Sequence, residues 1–581
     1  MDDSLYYRKT KNEELFKALE NSHLGLDSLQ NYVPLYEKFF SLNNNNFNSI
    51  NLNQKYYLHN LKEEINQNTI VATVADNSNN IFKKDVFCKF SPLLDPLKYL
   101  TGKYDISSND MIPLPQYNKQ TLFPKLHDKN NTAYIDSFFT YISSQLLHKY
   151  DFLNSIDYYG SFLCKQQKFQ YNISEDIDYL NESDFFHKNK DEYYSIENEN
   201  YNTIFNFNSR TNKKKIVING KLDELIVDIF SKDDFSLFTA DETKDSSPSN
   251  SVHVVDLSEV CIYDQPLKKS SSSGSGSGSG SVSSASTYSS KSSNTSIDEL
   301  SYNGDSGSDS DNESDNSSTS SSSCDEEDIF CSLFNFPVQM ITMEKCENTL
   351  DYLMENDMLD NKEWTSCLFQ IIISLTLFQK SLSFTHNDLH TNNIMYVPTD
   401  KKFLYYSVNN ITYKVPTYGK IYKLIDFGRS IYKFNGQIMC SDSFHPKGDA
   451  ASQYNCEPYM DNNKPRLDPN PSFDLCRLAC CLYDHFVEDI FDAELVFKEN
   501  KLAKMIASWL MDDKDRNILY KNSGEERYPE FKLYKMIART VHNAIPQSQL
   551  DNEVFKGYIV SKKKLGKNAK IMNLDRIPNL Q

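Results

Sequence analysis

Glycine is scarce in this chain, 17 of 581 residues, and none lies between positions 50 and 100. Any anion held by backbone N–H groups in that stretch must therefore be held by residues that carry a Cβ. Positive charge is in deficit, with 61 Lys and Arg against 80 Asp and Glu and a net charge of −19. That balance argues against a protein that coats nucleic acid, and no nucleic-acid partner is expected. No CxxC pair occurs among the twelve cysteines. The nearest group, Cys476, Cys480 and Cys481, sits in an apolar helical pattern and reads as core, so reduced thiols in an intracellular compartment are expected. No apolar run reaches the roughly 18 residues of a membrane span, and no membrane partner is expected. The opening Met1-Asp2-Asp3 is acidic, unlike a secretory signal.

Against these absences stand two short stretches, Thr385-His386-Asn387-Asp388-Leu389-His390-Thr391-Asn392-Asn393-Ile394 and Lys423-Leu424-Ile425-Asp426-Phe427-Gly428. They place a carboxylate at Asp388, a carboxamide at Asn393 and a second carboxylate at Asp426, on a strand running into a turn. Such groups can steer a hydroxyl onto a magnesium-bound nucleotide triphosphate, where the protein mostly positions groups and neutralises charge. Asp388 fits the acceptor of the hydroxyl proton. Mg²⁺ prefers hard oxygen ligands, and the Asn393 carboxamide and Asp426 carboxylate suit it alongside phosphate oxygens. Phe427 would set the pose of Asp426 by packing, and Gly428 would let the backbone turn. Either tripeptide alone recurs by chance; the two in this order, each joined to an apolar run, are a strong signal.

The pair resembles the H-R-D-L-x-x-x-N and D-F-G signatures of protein kinases. The form from His386 to Met395 is most similar to the serine/threonine kinases of giant DNA viruses such as mimivirus. It is also similar to haspin-type kinases and, more distantly, to small-molecule kinases of the aminoglycoside and choline type. Two positions depart from the signature. Asn387 replaces the Arg after the His, which weakens the resemblance to kinases switched on by activation-loop phosphorylation. His390 replaces the Lys that steadies the moving phosphoryl group.

The resemblance implies an α+β, bilobal protein-kinase-like fold, with a small β-rich lobe carrying a large insertion and a mainly helical large lobe. It implies ATP and Mg²⁺ as cofactors, a protein substrate, and an intracellular setting, the host cytoplasm or the virion. Asp388 would be catalytic, Asn393 and Asp426 would hold Mg²⁺ and nucleotide, and Lys89 would grip the phosphates. The backbone of Glu344 and Cys346 would meet the adenine edge, with Met343 guarding that pocket.

Along the chain, residues 1–50 read as an N-terminal extension with a helix or two around 11–40. Residues 51–165 read as the first part of the small lobe. Within it Thr69–Val74 and Asp85–Phe90 are strand-like. Lys89 inside an apolar strand is costly to bury unless it meets an anion; the alternative is a Lys snorkelling from an edge strand. Without glycines, Asp76–Asn80 would form a looser lid over the phosphates, or nucleotide binding would be weak. The pattern over 131–150 predicts an amphipathic helix capped by Asn131 or Thr132. Its Asp136 is either the partner of Lys89 or a solvated acid near a helix N-terminus. Tyr158–Cys164 is the next strand.

Residues 166–333 read as an insertion, with strand-like pieces at Lys215–Ile218 and Leu225–Phe230. Its Ser/Gly-rich and then acidic part, 265–328, cannot bury a core and is expected to be disordered; its serines followed by acids would suit acidophilic kinases. Residues 334–346 read as the last small-lobe strand and hinge, and 347–560 as the large lobe. In the latter, Trp364 to Phe378 recur at helical spacing, His386 is a packing residue beneath Phe427, and 403–415 is a hairpin. Phe473–Leu482 is apolar nearly all round, a buried helix. Asp474 within it needs partners, and the matching kinase residue accepts N–H groups of the catalytic loop. Residues 561–581 read as a basic, solvated tail. The expected reaction is transfer of the ATP γ-phosphate to Ser or Thr of a protein. The alternatives are a small-molecule kinase, favoured by His390, and a pseudokinase scaffold, favoured by the missing glycine-rich loop. Oligomeric state is not legible.

Overall fold

The β-branched run at Thr69–Val74 folds as a buried strand within a seven-stranded antiparallel sheet. The computed structural model describes residues 5–104, 112–119, 122–196, 328–529, 531–566 and 569–581. The strand-like pieces expected at 215–218 and 225–230, and the Ser/Gly and acidic sequence of 265–327, lie outside the described residues. The sheet strands are β1 (Leu26–Gln30), β2 (Tyr56–Asn66), β3 (Thr69–Asp76), β4 (Ile81–Pro92), β5 (Tyr158–Asn172), β6 (Tyr194–Ile196) and β7 (Phe330–Glu344). Their order is β1-β5-β7-β4-β3-β2, with β6 added beside β7. Lys89 therefore lies on an interior strand, paired with Ile341 of β7, and not on an edge.

Two boundaries differ from the sequence reading. The presumed extension supplies β1, and its helix Glu13–Glu20 buries Leu15, Phe16 and Leu19. The β5–β7 ladder runs on from Cys164↔Val338 to Asn172↔Phe330. Polar residues on one face hide this continuation, because a strand with one solvated face loses its apolar run without losing its pairing.

Helix α1 (Thr132–Tyr150) packs beside the sheet, capped by the Asn131 side chain on Ala133 N–H at 3.0 Å. It is buried on most sides, not amphipathic, because aromatic rings close over it from the preceding segment: Phe39 stacks on Phe138 at 4.9 Å.

The second half of the chain mixes helices with short strands. α2 (Asn361–Leu382) starts in a capping box made by Asp360 and Glu363. Among the described residues it is the one helix long and apolar enough to cross a membrane, and most of that apolar stretch is buried inside the fold. α3 (Phe473–Phe486) and α4 (Phe531–Thr540) follow later. Between α2 and α3, β8 (Ile394–Pro398) pairs with β11 (Lys420–Leu424), and β9 (Phe403–Val408) pairs with β10 (Ile411–Pro416). The β9–β10 hairpin turns through Asn409 and Asn410, both at positive φ, as a two-residue turn of right-twisted strands requires. The class is α+β, as expected. The tail is not simply solvated: Ile571–Asn573 adds a parallel strand to β9, and Met572, Leu574 and Ile577 are buried. The ten cysteines among the described residues are free thiols.

Candidate functional site

Lys89 is buried and meets two carboxylates. Its Nζ lies 2.7 Å from Asp136 Oδ2 and 2.7 Å from Asp426 Oδ1. The other Asp136 oxygen accepts the Phe427 N–H at 2.9 Å. One ammonium thus ties β4, α1 and the turn after β11 together. Burial raises the Asp136 carboxyl above its ordinary value, and the nearby Asp426 adds to this against the pull of Lys89. Burial also pushes Asp426 upward, but there Lys89 outweighs it and the carboxyl lies below its ordinary value. A buried charge is tolerated where it is paired in this way.

The left-handed residue of this turn is Asp426 itself, at φ 61°. Gly428 is needed for a different reason than turning. A Cβ there would lie 2.9 Å from Thr132 Cγ2, so any larger residue would have to displace the start of α1 or the Thr132 side chain. Phe427 packs against Phe139 of α1 and against His386, with ring centroids 4.5 and 5.7 Å away. His386 Nε2 bonds the Ile425 carbonyl at 2.9 Å.

The loop carrying Asp388 hangs from α3. Asp474, fully buried, accepts the N–H groups of His386 and Asn387, both at 2.9 Å. Asn387 sits at φ 65°, a conformation Asn tolerates better than Arg. Its amide donates to the Arg429 carbonyl, and its oxygen accepts from Tyr454. Asn393 donates to the Asp388 carbonyl at 2.9 Å and lies 3.0 Å from His390 Nε2. The Asn393 carbonyl in turn accepts from Ile425 N–H, and Ile394 faces Leu424, so Asn393 and Asp426 flank one β-pair.

Asp388 is half-buried, and its Oδ1 accepts from Tyr534 of α4 at 3.0 Å. The same phenol oxygen receives Arg477 Nε at 2.9 Å. Burial pushes Asp388 upward, but Arg429, with His390 and Arg477 behind it, more than reverses this and holds the carboxyl below its ordinary value. Arg429 itself pairs with Asp449 at 2.9 Å.

Burial holds His390 below the ordinary imidazole range, despite the counter-pull of Asp388. A neutral Nε2 there can accept from Asn393, and a neutral imidazole does not replace a lysine charge. The stability this group contributes is complete above its unfolded value of about 6.5 and is lost as pH falls through the lower folded value. Calorimetry should therefore show Tm falling from pH 7.5 to 5, and a smaller fall in His390→Gln.

The sequence-selected residues at the strand end behave unequally. The Glu344 N–H donates to the Asp157 carbonyl at 3.0 Å, so it is not available to a ligand. The Glu344 carboxylate pairs with Lys423 and accepts Asp157 N–H at 2.7 Å. Cys346 is buried, and its backbone N–H and C=O make no hydrogen bond among the described residues. Glu344 lies three residues from Ile341, the partner of Lys89, about 10 Å along β7.

The turn beside Lys89 is Gln67-Asn68, not Asp76–Asn80. Asn68 bonds both the N–H and the carbonyl of Cys88, next to Lys89. Asp76–Asn80 closes the other end of the β3–β4 pair, where the Asp76 carboxylate already takes Ser78 N–H and Asn80 N–H at 2.8 and 2.9 Å.

Four groups escaped the sequence reading: Lys423, Asp157, Tyr534 and Arg477. Lys423 carried the same signal as Lys89, a lysine in an apolar strand. The others carried none, since each reaches its partner across a long sequence separation.

No cluster of three His, Cys, Asp or Glu side chains suited to a metal occurs among the described residues. Asp426 Oδ2 and Asn393 Oδ1 nevertheless receive no hydrogen bond from a described residue, and a carboxylate with a carboxamide suits a small hard cation that draws its other ligands from water or phosphate.

No family model matches the chain. Over 77 residues it is 36% identical to the serine/threonine-protein kinase haspin of Mus musculus, which is 13% of this chain and 10% of that protein. Over 100 residues it is 32% identical to the "Putative serine/threonine-protein kinase R400" of Acanthamoeba polyphaga mimivirus, 16% of this chain and 21% of that protein. An uncharacterized protein of Caenorhabditis elegans is 25% identical over 104 residues, 16% of this chain and 35% of that protein. The chain thus spans about a third or less of the length of these relatives, and over the matched stretches it is similar to two proteins named as serine/threonine kinases.

Proposed function

We propose that the chain is a protein kinase of bilobal fold, transferring the γ-phosphate of Mg-ATP to Ser or Thr of a protein inside the cell, in the host cytoplasm or the virion. The observation that carries this reading is the Asp136–Lys89–Asp426 chain of ion pairs. A buried lysine shared between a helix acid and the acid of Asp-Phe-Gly is costly in a merely structural protein and useful where triphosphate charge must be met.

The parts then take these roles. The sheet through β7 forms the small lobe, residues 347–560 the large one, and 166–333 an insertion in the former. Lys89 holds phosphate oxygens. Cys346 offers its N–H and C=O to the adenine edge, and of the Glu344 backbone only the carbonyl is a candidate. Asn393 and Asp426 would hold Mg²⁺, which supplies neutralisation of phosphate charge when bound. Asp388 Oδ1 is fixed by Tyr534, so the second oxygen is left to orient the acceptor hydroxyl. That carboxylate takes the hydroxyl proton as the oxygen bonds the γ-phosphorus and ADP leaves.

Asp426→Asn tests the metal assignment without turnover. The wild type should gain thermal stability from ATP only with Mg²⁺ present. The variant should lose at least about tenfold in Mg-ATP affinity, read as the ligand concentration needed for the same Tm shift. An unchanged Mg²⁺ dependence would remove Asp426 from the site.

A binding-only scaffold is favoured by one observation. The turn beside Lys89, Gln67-Asn68, has no glycine, and the strand that leads into it carries Glu63 and Glu64, the latter fixed by the His23 N–H. Saturable Mg-ATP binding with no transfer to any acceptor would establish that alternative.

A further inference from the structure

Helix α3 holds the loop of Asp388 twice. Asp474 takes two N–H groups of the loop backbone. Arg477, three residues on and so on the same side of α3, reaches the carboxylate itself by way of a phenol. Its Nε donates to Tyr534 Oη at 2.9 Å, and Tyr534 Oη lies 3.0 Å from Asp388 Oδ1. A guanidinium can only donate, so the single phenol proton must go to Asp388. Burial and the Asp388 charge hold the Tyr534 phenol above its ordinary value, so that proton stays in place. The hydrogen bonds therefore run one way, from Arg477 to Tyr534 to Asp388.

The phenol is also held from the side. The Tyr534 ring stacks on Phe531 and leans on Phe473 of α3, with ring centroids 5.7 and 5.9 Å apart. Helix α4 is tied to the residues before α3 by Asn470, whose buried amide reaches the carbonyls of Ile537, Ala538 and Val541 at 2.6–3.3 Å. Among the described residues Arg477 pairs with no carboxylate directly; its other bond is from Nη1 to Cys481 Sγ at 2.9 Å. His390, on the loop itself, turns to Asn393 and not to the Asp388 side chain. A tyrosine that only packs needs one partner for its hydroxyl. This one has two, arranged head to tail and ending on the carboxylate.

We propose that Tyr534 and Arg477 are positioning residues for phosphate transfer: together they aim the Asp388 carboxylate, a task that His390 leaves to another part of the fold. The inference rests on the assignment of Asp388 as the acceptor of the hydroxyl proton. A misplacement of about 1 Å in such a group can cost about 10²-fold in rate.

Tyr534→Phe keeps the ring and removes the hydroxyl. In the full chain, with dephosphorylated casein as acceptor, kcat should fall about thirtyfold. KM for Mg-ATP and for casein should stay within about twofold. Arg477→Met should also lower kcat, and the double variant should be little worse than Tyr534→Phe, because the cation acts through the phenol. A 3-fluorotyrosine in place of Tyr534 keeps the hydroxyl and should restore most of kcat. Its fluorine NMR signal needs no acceptor protein and should shift in Asp388→Ala and in Arg477→Met. A Tyr534→Phe kcat within about threefold of wild type overturns the proposal, as does a fluorine signal that moves in neither variant. Additive losses in the double variant overturn the part given to Arg477. A rise in transfer in Tyr534→Phe also overturns the proposal, since the phenol would then fill the acceptor's place. So does a loss of kcat matched by an equal loss of Mg-ATP-binding protein, which is what packing alone would give. A wild type that transfers phosphate to neither casein, myelin basic protein nor itself refutes the assignment of Asp388, and the proposal with it. The fluorine signal, read without turnover, tells that failure from the absence of the phenol contact.

Discussion

Asp388→Asn should lower γ-phosphate transfer by about 10³-fold, within the usual range for a positioned proton acceptor. Mg-ATP affinity should stay within about twofold, because Lys89, Asn393 and Asp426 make the nucleotide contacts in the proposed arrangement. The amide keeps one oxygen to accept from Tyr534, so the loop geometry survives. What disappears is a negative charge set against Arg429 and Arg477 and held ionised by them. An amide cannot take the hydroxyl proton. Single-turnover transfer of labelled phosphate, beside calorimetric ATP binding, reads the two quantities separately. A variant within tenfold of wild type in transfer would remove Asp388 from the chemistry.

Asp474→Ala should cost about 3–5 kcal/mol of stability, since two buried N–H groups would lose their acceptor at roughly 1–3 kcal/mol each and a cavity would open. For a fold of this size that is roughly 3–6 °C in Tm, readable by calorimetry. Asp474→Asn should cost less. One oxygen still accepts an N–H, and burial already raises the Asp474 carboxyl above its ordinary value, so removing the charge relieves desolvation. A Tm for the Ala variant within about 2 °C of wild type would mean that the loop stands without this anchor. The same variant should loosen Asp388 and lower transfer, which separates anchoring from mere packing.

The site was legible where chemistry is local in sequence. Asp388 and Asn393 share one loop, Asp426 opens the next turn, and Asp474 stood out as an acid in an apolar helix. Lys89 and Asp136 were legible as residues out of place, a charge in a strand and the single acid inside a helix, although nothing in the sequence said that they meet. The turn beside Lys89 was not singled out because the expected mark of such a turn is glycine. Without one, a polar run of Asn and Ser drew the assignment to Asp76–Asn80, one turn too late. The segment 1–50 and the tail 571–577 were missed as parts of the fold because short strands and single buried residues leave no period to detect. Tyr534 and Arg477 were invisible for a similar reason. A tyrosine on a helix is ordinary, and its reach to Asp388 spans 146 residues.

The β5–β7 ladder closes with Asn172 facing Phe330, so the two ends of everything between them stand side by side at the tip of a long antiparallel pair. A segment spliced in at such a point exerts little leverage on the rungs behind it. Closing it costs free energy that grows only with the logarithm of its length, about 0.6 kcal/mol for each doubling. The fold can therefore host sequence of almost any length and composition at this tip, with the strand end that holds Glu344 fourteen residues away along β7 and held separately by Lys423 and Asp157. In engineering terms the tip is a grafting port, where sequence can be lengthened, shortened or recomposed without moving the strand end that holds Glu344.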